Sequence, residues 1–387
     1  MEMVAVTRLV ILGSTGSIGR AALEVASALG DVEVIGLAAR RDVEALAAQA
    51  RRWRPRAVAI EDVAAADRLR GVLPPGVRLL TGPDAATQMA ALPEAEMVLV
   101  AVVGVAGLRP TLAALDAGHD VALANKEALV AGGHLVKAAL ERTRARLLPV
   151  DSEHSAVFQC LAGEDPATVR RLILTASGGP FLRRPIAELG SVTVEETLAH
   201  PTWNMGRKVT VDSATLMNKG LEIIEAHWLF EVPQDRIEVV IHPQSLVHSM
   251  VEFADGSTIA QVAAPDMRGP IQHALSRGRR RPGLVEPMEW DRLALTFERP
   301  EPERFPGLSL AREALRLGGT APVVLNAANE VAVERFLSGA ICFTGIAATV
   351  AEVLARHEPR PAPTLEAVLE ADAWARARAS EMIQPTG

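Results

Sequence analysis

Cysteine is scarce in this chain of 387 residues, and its scarcity excludes two kinds of protein. Only Cys160 and Cys342 occur, which is too few for a framework of disulfide bonds or for a metal site built from thiolates. So few cysteines are typical of a reducing compartment. The sequence also lacks a basic segment followed by an apolar one at its start, and any apolar run long enough to span a membrane. We therefore expect a soluble cytoplasmic protein without a membrane partner.

An excess of positive charge is also missing. The formal net charge of -7 argues against nucleic acid as a partner, because proteins that bind nucleic acids present basic surfaces to the phosphates. With 49% hydrophobic and 22% charged residues the composition is that of a globular protein. A chain of this length predicts two or three domains.

A glycine-rich turn follows the first predicted strand. Residues 8–12 form an apolar run, Gly13-Ser-Thr-Gly-Ser-Ile-Gly19 comes next, and a helical pattern extends from residue 20 to residue 29. In such a unit the backbone approaches a pyrophosphate, and the start of the helix attracts its charge. The spacing departs from the usual dinucleotide fingerprint, so a tight turn without a ligand is the alternative.

The end of the second predicted strand, over residues 33–38, favours NADP over NAD. Where an NAD-specific fold carries an acidic residue for the ribose hydroxyls, this chain reads Ala39-Arg40-Arg41. Two guanidinium groups suit a 2′-phosphate. Two exposed arginines before a helix are the alternative interpretation.

Strand and helix patterns continue to alternate as far as residue 150. Further strands are predicted over residues 57–60, 97–103 and 121–124, and the alternation indicates a doubly wound, Rossmann-like α/β fold with a parallel sheet. Asn125-Lys126-Glu127 follows the last of these strands. Ligands bind at the carboxyl ends of strands in such sheets, so these residues are expected to face the nicotinamide. A helix start with a charged first turn is the alternative.

Two carboxylates follow the strand predicted over residues 147–150. In an extended backbone Asp151 and Glu153 point the same way. With Glu222 as a third oxygen donor, they would hold Mg²⁺ or Mn²⁺ and leave positions open for a substrate. No pattern of cysteines or paired histidines suggests zinc. For Asp151 or Ser152, capping a helix that starts near residue 156 is the alternative.

The segment from His200 to Phe230 is rich in side chains able to do chemistry. Apolar residues at helical spacing predict one helix over residues 213–230, with Asp212 or Ser213 as its N-cap and a start suited to an anion. The preceding residues 200–206 have the composition of a loop that closes over a ligand.

One face of that predicted helix carries three polar side chains. Asn218, Lys219 and Glu222 lie three and four residues apart and therefore line up along the helix. A solvated stripe of charges is the alternative.

Ser177 and two glycines end another predicted strand, from residue 173, and read as a second anion-binding loop or as a plain turn.

The remaining patterns define the domains. A strand over residues 237–241 and a hairpin over 250–262 follow the central helix, residues 279–307 read as a linker, and the rest is helical. We accordingly predict an NADPH-binding domain (1–150), an α+β catalytic domain with a flap loop (151–278), the linker (279–307) and a small α-helical C-terminal domain (308–387).

Seven separated motifs, in order along nearly the whole chain, resemble the 1-deoxy-D-xylulose 5-phosphate reductoisomerase family. They occupy residues 13–19, 125–127, 149–155, 176–181, 200–230, 242–248 and 326–330. The resemblance implies an enzyme of non-mevalonate isoprenoid synthesis that makes 2-C-methyl-D-erythritol 4-phosphate and is usually a homodimer. It also implies NADPH and a divalent metal, Mg²⁺ or Mn²⁺ with Co²⁺ possible, as cofactors.

The resemblance further implies roles by position. The metal ligands are Asp151, Glu153 and Glu222, and the catalytic residues are these three with Lys126, His154, His200 and His248. The substrate residues are Ser152, Glu153, Ser177, His200, Trp203, Met205, Ser213, Asn218, Lys219 and Glu222, of which Trp203 and Met205 belong to the flap. The cofactor residues are Thr15, Gly16, Ser17, Ile18, Ala39, Arg40, Arg41, Asn125, Glu127 and Gly206. For His154 and His248 a hydrogen-bonding role in the core is the alternative.

The residues fit this chemistry. A metal chelated by the ketone and a neighbouring hydroxyl stabilises the charge of a carbon-skeleton rearrangement, and hydride from NADPH then reduces the aldehyde formed. A metal-dependent NADP hydroxy-acid dehydrogenase is the main alternative, although it would need arginines for the substrate carboxylate. A non-catalytic NADP-sensing module would leave the three carboxylates and the flap without a role.

Overall fold

The computed structural model describes residues 6–203 and 205–382. The chain divides into two compact units, the first made of residues 1–128, 135–155 and 266–286 and the second of residues 129–134, 156–265 and 287–387. The four-part division made from the sequence stays a prediction. No helix in the described ranges is long and apolar enough to cross a bilayer.

Within the described residues, seven parallel strands form the sheet of the first unit. They are β1 (Thr7–Leu12), β2 (Val32–Ala39), β3 (Ala57–Ile60), β4 (Arg78–Thr81), β5 (Met97–Val100), β6 (Asp120–Leu123) and β7 (Leu147–Pro149). The order β4-β3-β2-β1-β5-β6-β7 reverses direction at β1, which confirms the doubly wound sheet. In such sheets ligands bind beyond the carboxyl ends of the strands on either side of the reversal, here β1 and β5.

Helices connect these strands in sequence. They are α1 (Ser17–Leu29), α2 (Val43–Trp53), α3 (Val63–Arg70), α4 (Ala85–Ala90), α5 (Leu108–Asp116), α6 (Lys126–Arg142) and α7 (Ser152–Cys160). The strand predicted over residues 97–103 is too long by three residues. Its pairing ends at Val100 opposite Leu123, where the four-residue partner strand also ends.

The second unit contains a smaller mixed sheet. Its strands are β8 (Val169–Ala176), β9 (Ile237–Ile241), β10 (Val247–Phe253) and β11 (Thr258–Val262), in the order β11-β10-β8-β9. β10 and β11 pair antiparallel, as the hairpin pattern predicts, whereas β8 and β9 are parallel. Apolar side chains such as Leu172, Ile223 and Phe253 form the core beneath this sheet.

The other helices are α8 (Val194–Leu198), α9 (Arg207–Ala214), α10 (Met217–Phe230), α11 (Arg268–Leu275), α12 (Pro306–Leu317), α13 (Ala321–Leu337), α14 (Phe343–Ala355) and α15 (Leu365–Met382). α11 belongs to the first unit and the rest to the second. A second core packs Val211 and Ala214 of α9 against Val333 and Phe336 of α13. The helical C-terminal region predicted from the sequence is confirmed.

The single helix predicted over residues 213–230 is wrong, because the chain forms two helices there. Leu216 adopts a left-handed conformation with φ of 53° and is the N-cap of α10. The hydroxyl of Thr215 lies 3.3 Å from the carbonyl oxygen of Val211 and 3.3 Å from the N–H of Met217. These bonds close α9 and place Asp212 and Ser213 inside α9, so neither caps α10.

The prediction of an extended backbone through Asp151 and Glu153 is also wrong. α7 begins at Ser152, and the N–H of Ser155 already donates to the carbonyl of Asp151 at 2.8 Å. Glu153 therefore lies in the first turn of a helix, where residues two apart do not share a face.

Candidate active site

The glycine-rich turn lies between β1 and α1. A side chain at Gly19 would place its Cβ 2.3 Å from the carbonyl oxygen of Gly13 and 2.5 Å from Cα of Ser14. Only glycine allows the start of α1 to approach the turn this closely. Gly16 is the N-cap of α1 and offers no side-chain hydrogen bond, so no capping side chain competes with an anion for the first N–H groups of the helix.

The four residues predicted to contact a pyrophosphate lie at this helix start. Gly16 and Ser17 are exposed, and Thr15 and Ile18 are half-buried. Ser14 behind them is fixed by Gln49, which accepts from its hydroxyl at 2.7 Å and donates to its carbonyl at 2.8 Å. No local sequence pattern indicates this support, because the two residues are 35 positions apart.

The residues predicted to hold a 2′-phosphate lie at the end of β2 and directly after it. Ala39 is buried, whereas Arg40 and Arg41 are exposed. The side chain of Arg40 is 81% exposed, and its contact with Glu61 is 4.0 Å long, so the guanidinium is held only weakly. Asp42 is committed to capping α2, where it accepts from the N–H of Ala45 at 3.0 Å. The two arginines therefore dominate the charge that this turn presents.

Asn125 and Glu127 form a buried pair at the end of β6. The amide of Asn125 donates to Glu127 at 2.8 Å and to the carbonyl of Gly104 at 3.0 Å. A Cβ at Gly107 would lie 2.1 Å from Oδ1 of Asn125, so the side chain fills the space that this glycine leaves. The need for glycine at position 107 was not foreseen, since it depends on a contact between distant residues.

Lys126, Asp151 and His154 meet beyond the ends of β6 and β7. Nζ of Lys126 forms an ion pair with Oδ2 of Asp151, and Nδ1 of the fully buried His154 lies 3.9 Å from the same oxygen. Nearby, the hydroxyl of Ser152 donates to Glu153 at 2.6 Å. The first unit therefore holds two carboxylates, one paired with an ammonium group and one accepting from a hydroxyl, and these are the hard oxygen donors that Mg²⁺ and Mn²⁺ prefer.

His200 is the centre of the site in the second unit. Its Nε2 lies 3.0 Å from the hydroxyl of Ser177 and 3.2 Å from that of Ser213. Its Nδ1 accepts from the backbone N–H groups of Thr202 at 3.2 Å and Trp203 at 2.9 Å. Because both neighbours of Nδ1 are donors, the neutral ring carries its proton on Nε2. Burial lowers the pKa of His200 below its ordinary value.

Acid is expected to release the loop that His200 holds. A proton on Nδ1 would face two N–H donors, so His200 stabilises the loop only while its ring is neutral. Since the folded pKa lies below the ordinary value of 6.5, this stabilisation is complete above that pH and is lost as the pH falls through the lowered pKa. The emission of Trp203, obtained by subtracting the spectrum of Trp203→Phe, should shift with a midpoint below pH 6.5.

The matched variant for this titration is His200→Asn. Its amide oxygen keeps an acceptor near the two N–H groups but has no proton to gain, so the emission of Trp203 should not change with pH. A midpoint above 6.5, or the same transition in His200→Asn, would contradict the role of the ring.

The next residues along the chain include the predicted flap residues Trp203 and Met205 and the predicted cofactor residue Gly206. The ring of Trp203 packs edge-on against His248 of β10, with centroids 6.1 Å apart. Met205 is half-buried, and Gly206 is an exposed N-cap of α9. Gly206 belongs to the second unit, whereas the other residues predicted to bind the cofactor belong to the first.

One face of α10 carries the amide, ammonium and carboxylate that the sequence spacing predicts. Asn218 donates to Oε1 of Glu222, and Nζ of Lys219 forms an ion pair with Oε2. Glu222 is fully buried and Lys219 nearly so. Glu225, one turn further along, is also fully buried. The sequence analysis did not single out this residue, although it lies three positions after Glu222 and so on the same side of the helix.

Comparison with protein families covers most of the chain. Residues 9–133 match the model of 1-deoxy-D-xylulose 5-phosphate reductoisomerase, and residues 147–230 and 262–378 match two models of its C-terminal domains. The 1-deoxy-D-xylulose 5-phosphate reductoisomerase of Symbiobacterium thermophilum is 56% identical over 96% of this chain and 97% of its own length. That of Pelotomaculum thermopropionicum is 54% identical over 95% and 96%.

Solved structures show the same relationship. The reductoisomerase from Zymomonas mobilis in complex with NADPH is 42% identical, with a TM-score of 0.92 over 98% of this chain and 100% of that one. A DOX-P reductoisomerase in complex with NADPH, fosmidomycin and magnesium is 38% identical, with a TM-score of 0.91 over 98% of each chain. On its sequence, its fold and these matches, the chain belongs to the 1-deoxy-D-xylulose 5-phosphate reductoisomerase family of enzymes.

Proposed function

We infer that this chain converts 1-deoxy-D-xylulose 5-phosphate to 2-C-methyl-D-erythritol 4-phosphate, with NADPH as reductant and a divalent cation as cofactor. The observation that carries the inference is the similarity to reductoisomerases, which extends over 95% or more of the chain. The same similarity disfavours the hydroxy-acid dehydrogenase that the sequence left open.

Asp151, Glu153 and Glu222 are the proposed metal ligands, for Mg²⁺ or Mn²⁺ and also for Co²⁺. Three carboxylates are a donor set that fits these ions. Asp151 and Glu222 each have an ammonium partner, Lys126 and Lys219, so each of these largely buried carboxylates faces a positive charge. When bound, the cation supplies Lewis-acid chemistry at the ketone and neighbouring hydroxyl of the substrate.

The proposed substrate site contains hydroxyl, imidazole, amide and ammonium donors, which suit a phosphate ester. Ser177, Ser213 and His200 form one group, and Asn218 and Lys219 form a second on α10. Ser152, Glu153 and Glu222 are proposed to contact the sugar-derived carbon chain. Trp203 and Met205 are proposed to cover it, because a reactive aldehyde must be kept from water.

The catalytic residues are proposed from the same groups. Lys126, His154, His200 and His248 join the three carboxylates as candidates for holding and moving protons. His200 is the best placed, because its Nε2–H faces the two serine hydroxyls while its Nδ1 is occupied by the loop. His154 and His248 are buried, which suits orientation through hydrogen bonds as well as proton transfer.

NADPH is proposed to bind the first unit. Thr15, Gly16, Ser17 and Ile18 would meet the pyrophosphate at the start of α1. Ala39, Arg40 and Arg41 would surround the 2′-phosphate, and Asn125 and Glu127 would lie toward the nicotinamide. Gly206 is proposed as a further cofactor residue. When bound, the cofactor supplies the hydride, and the chain supplies its alignment.

Removing both arginines should abolish the preference for NADPH. In Arg40→Ser/Arg41→Ser the ratio of kcat/KM for NADPH to that for NADH should fall by about a hundredfold, since two charge-assisted hydrogen bonds are lost. Arg51→Ser removes another exposed guanidinium, from the last turn of α2, and should leave the ratio unchanged. An unchanged ratio in the double variant would place the 2′-phosphate elsewhere.

Substrate profiling tests the proposed reaction. Oxidation of NADPH, followed by its absorbance, should require both 1-deoxy-D-xylulose 5-phosphate and Mg²⁺ or Mn²⁺, and should stop with a chelator. Reduction of NADP⁺ by 2-hydroxy acids, with no reaction of the sugar phosphate, would support the dehydrogenase instead.

We also propose a cytoplasmic homodimer. β11 is an edge of the second-unit sheet, and its Ile259 is exposed; an open edge of this kind is a template for pairing with another chain. Light scattering should give twice the chain mass of 41.1 kDa. A monomer in solution would contradict this proposal without affecting the proposed reaction.

A further inference from the structure

A buried polar pair joins α9, which carries Ser213, to α13. The amide nitrogen of Asn329 donates to Oδ1 of Asp212 at 2.8 Å, and Nζ of Lys208 lies 2.9 Å from Oδ2. Asp212 is 1% exposed and Asn329 is fully buried. Asn329 belongs to the motif at residues 326–330, to which the proposed reaction gives no role.

Stability alone does not account for this pair. Taking a carboxylate out of water is unfavourable, and replacing a buried ionic group by apolar side chains of similar volume is often neutral or stabilising. Oδ1 of Asn329 also has no hydrogen-bond partner among the described residues, which adds a further penalty. What such a pair does provide is a defined orientation, because hydrogen bonds are directional and apolar contacts are not.

The orientation that is fixed is the rotation of α9. Successive residues of a helix are about 100° apart around its axis, so an Asp212 held against α13 sets the direction of Ser213 beside it. In that direction the hydroxyl of Ser213 lies 3.2 Å from Nε2 of His200. The hydroxyl of Thr215 also donates to the carbonyl of Asp212 at 3.2 Å, which joins the same residue to the turn that begins α10.

We propose that Asn329 is a positioning residue for substrate binding: it holds Asp212 and thereby aims Ser213, with His200, at the phosphate-bearing end of the substrate. This inference rests on the proposed function, because it takes Ser213 as a substrate donor. We expect Asn329 to touch neither substrate nor cofactor and to act through α9.

The test is Asn329→Asp, which sets a second carboxylate against Asp212 with little change in shape. Repulsion should turn α9 and misdirect Ser213, so KM for 1-deoxy-D-xylulose 5-phosphate should rise about thirtyfold while kcat changes by less than about threefold. KM for NADPH should stay the same. If this variant does not fold, Asn329→Ala removes the donor without adding charge and should raise KM about fivefold.

Exchange of the two residues gives the rescue. The double variant Asp212→Asn/Asn329→Asp restores an amide facing a carboxylate and keeps the charge of the cluster. KM should return to within about fivefold of the value for the starting enzyme. The hydrogen bond that orients α9 is formed again, with position 212 now the donor and position 329 the acceptor. Failure of the exchange to lower KM would overturn the proposal.

Asn326→Asp is the matched control. Asn326 is also fully buried on α13, one turn earlier, but its amide donates to Glu330 at 3.0 Å and not to α9. The same substitution there also opposes two carboxylates, so it should lower thermal stability without changing KM. An equal rise in KM for Asn326→Asp and Asn329→Asp would mean that any added charge on α13 disturbs the packing around the site. That result would overturn the positioning role.

A second measurement separates this proposal from the proposed function. If the unaltered enzyme does not turn over the sugar phosphate, the proposed function fails, but the emission of Trp203 still reports the loop that His200 ties to Ser213. Asn329→Asp should shift that emission, the exchange variant should restore it, and Asn326→Asp should leave it unchanged. Emission that is the same in all three would overturn the positioning role.

Discussion

Glu222→Gln is expected to lower kcat/KM for the sugar phosphate by about a thousandfold, with the fold retained. One oxygen of this carboxylate accepts a hydrogen bond from Asn218 and the other pairs with Lys219, so both oxygens serve as acceptors. The amide of glutamine would turn an N–H group toward one of these donors and would offer a cation one neutral oxygen. Steady-state rates should fall at every Mg²⁺ concentration, and the concentration needed for half the maximal rate should increase.

Glu231→Gln makes the same chemical change at the exposed C-cap of the same helix, and we expect rates within about twofold of the starting enzyme because surface substitutions have small effects. Binding of NADPH, measured by fluorescence, should be intact in both variants. Similar rates for Glu222→Gln and Glu231→Gln would remove Glu222 from the proposed metal ligands.

Gly19→Ala is expected to weaken NADPH binding by about a hundredfold or more and to lower the free energy of unfolding by about 3 kcal/mol. The added methyl group would lie 2.3 Å from the carbonyl oxygen of Gly13 and 2.5 Å from Cα of Ser14. Both are backbone atoms, so the turn itself must move, and the N–H groups at the start of α1 move with it. Titration with NADPH and thermal unfolding check the two effects.

Gly71→Ala provides the comparison within the same unit. Gly71 ends α3 with ordinary helical backbone angles, and its nearest neighbour would be 3.7 Å from an added Cβ. Neither NADPH binding nor stability should fall there. Tight NADPH binding by Gly19→Ala would mean that the turn does not contact the cofactor.

The first unit could be predicted well because its signals are local. A strand, a glycine turn and a helix follow one another within 23 residues, from Thr7 to Leu29, and the apolar strands of a parallel sheet are recognisable as continuous runs. β4 is the exception. Its Arg78–Thr81 sequence is partly exposed at the sheet edge, so it lacks the apolar run that marked its neighbours.

The break between α9 and α10 could not be predicted from periodicity. Apolar residues keep helical spacing across it because both helices bury a face, Val211 and Ala214 in one core and Ile223 and Ala226 in another. Leucine at position 216 gives no sign of a left-handed backbone, since the residues that favour one are glycine and asparagine. The bonds of Thr215 that close α9 become visible only in three dimensions.

Within the candidate site, the groups foreseen were those on one element or one motif. Asn218, Lys219 and Glu222 follow from the spacing of a helix. The contact of Asp212 with Asn329 joins residues 117 positions apart, and no local pattern encodes it. The support of Ser14 by Gln49 was missed for the same reason.

Product analysis tests the central claim most directly. The enzyme would be given ¹³C-labelled 1-deoxy-D-xylulose 5-phosphate, NADPH and Mg²⁺, and the product examined by NMR. We predict the branched skeleton of 2-C-methyl-D-erythritol 4-phosphate, with one NADPH consumed for each molecule formed. An unbranched product of simple ketone reduction, or no product from a folded protein that binds NADPH, would contradict the assignment of this chain as a reductoisomerase.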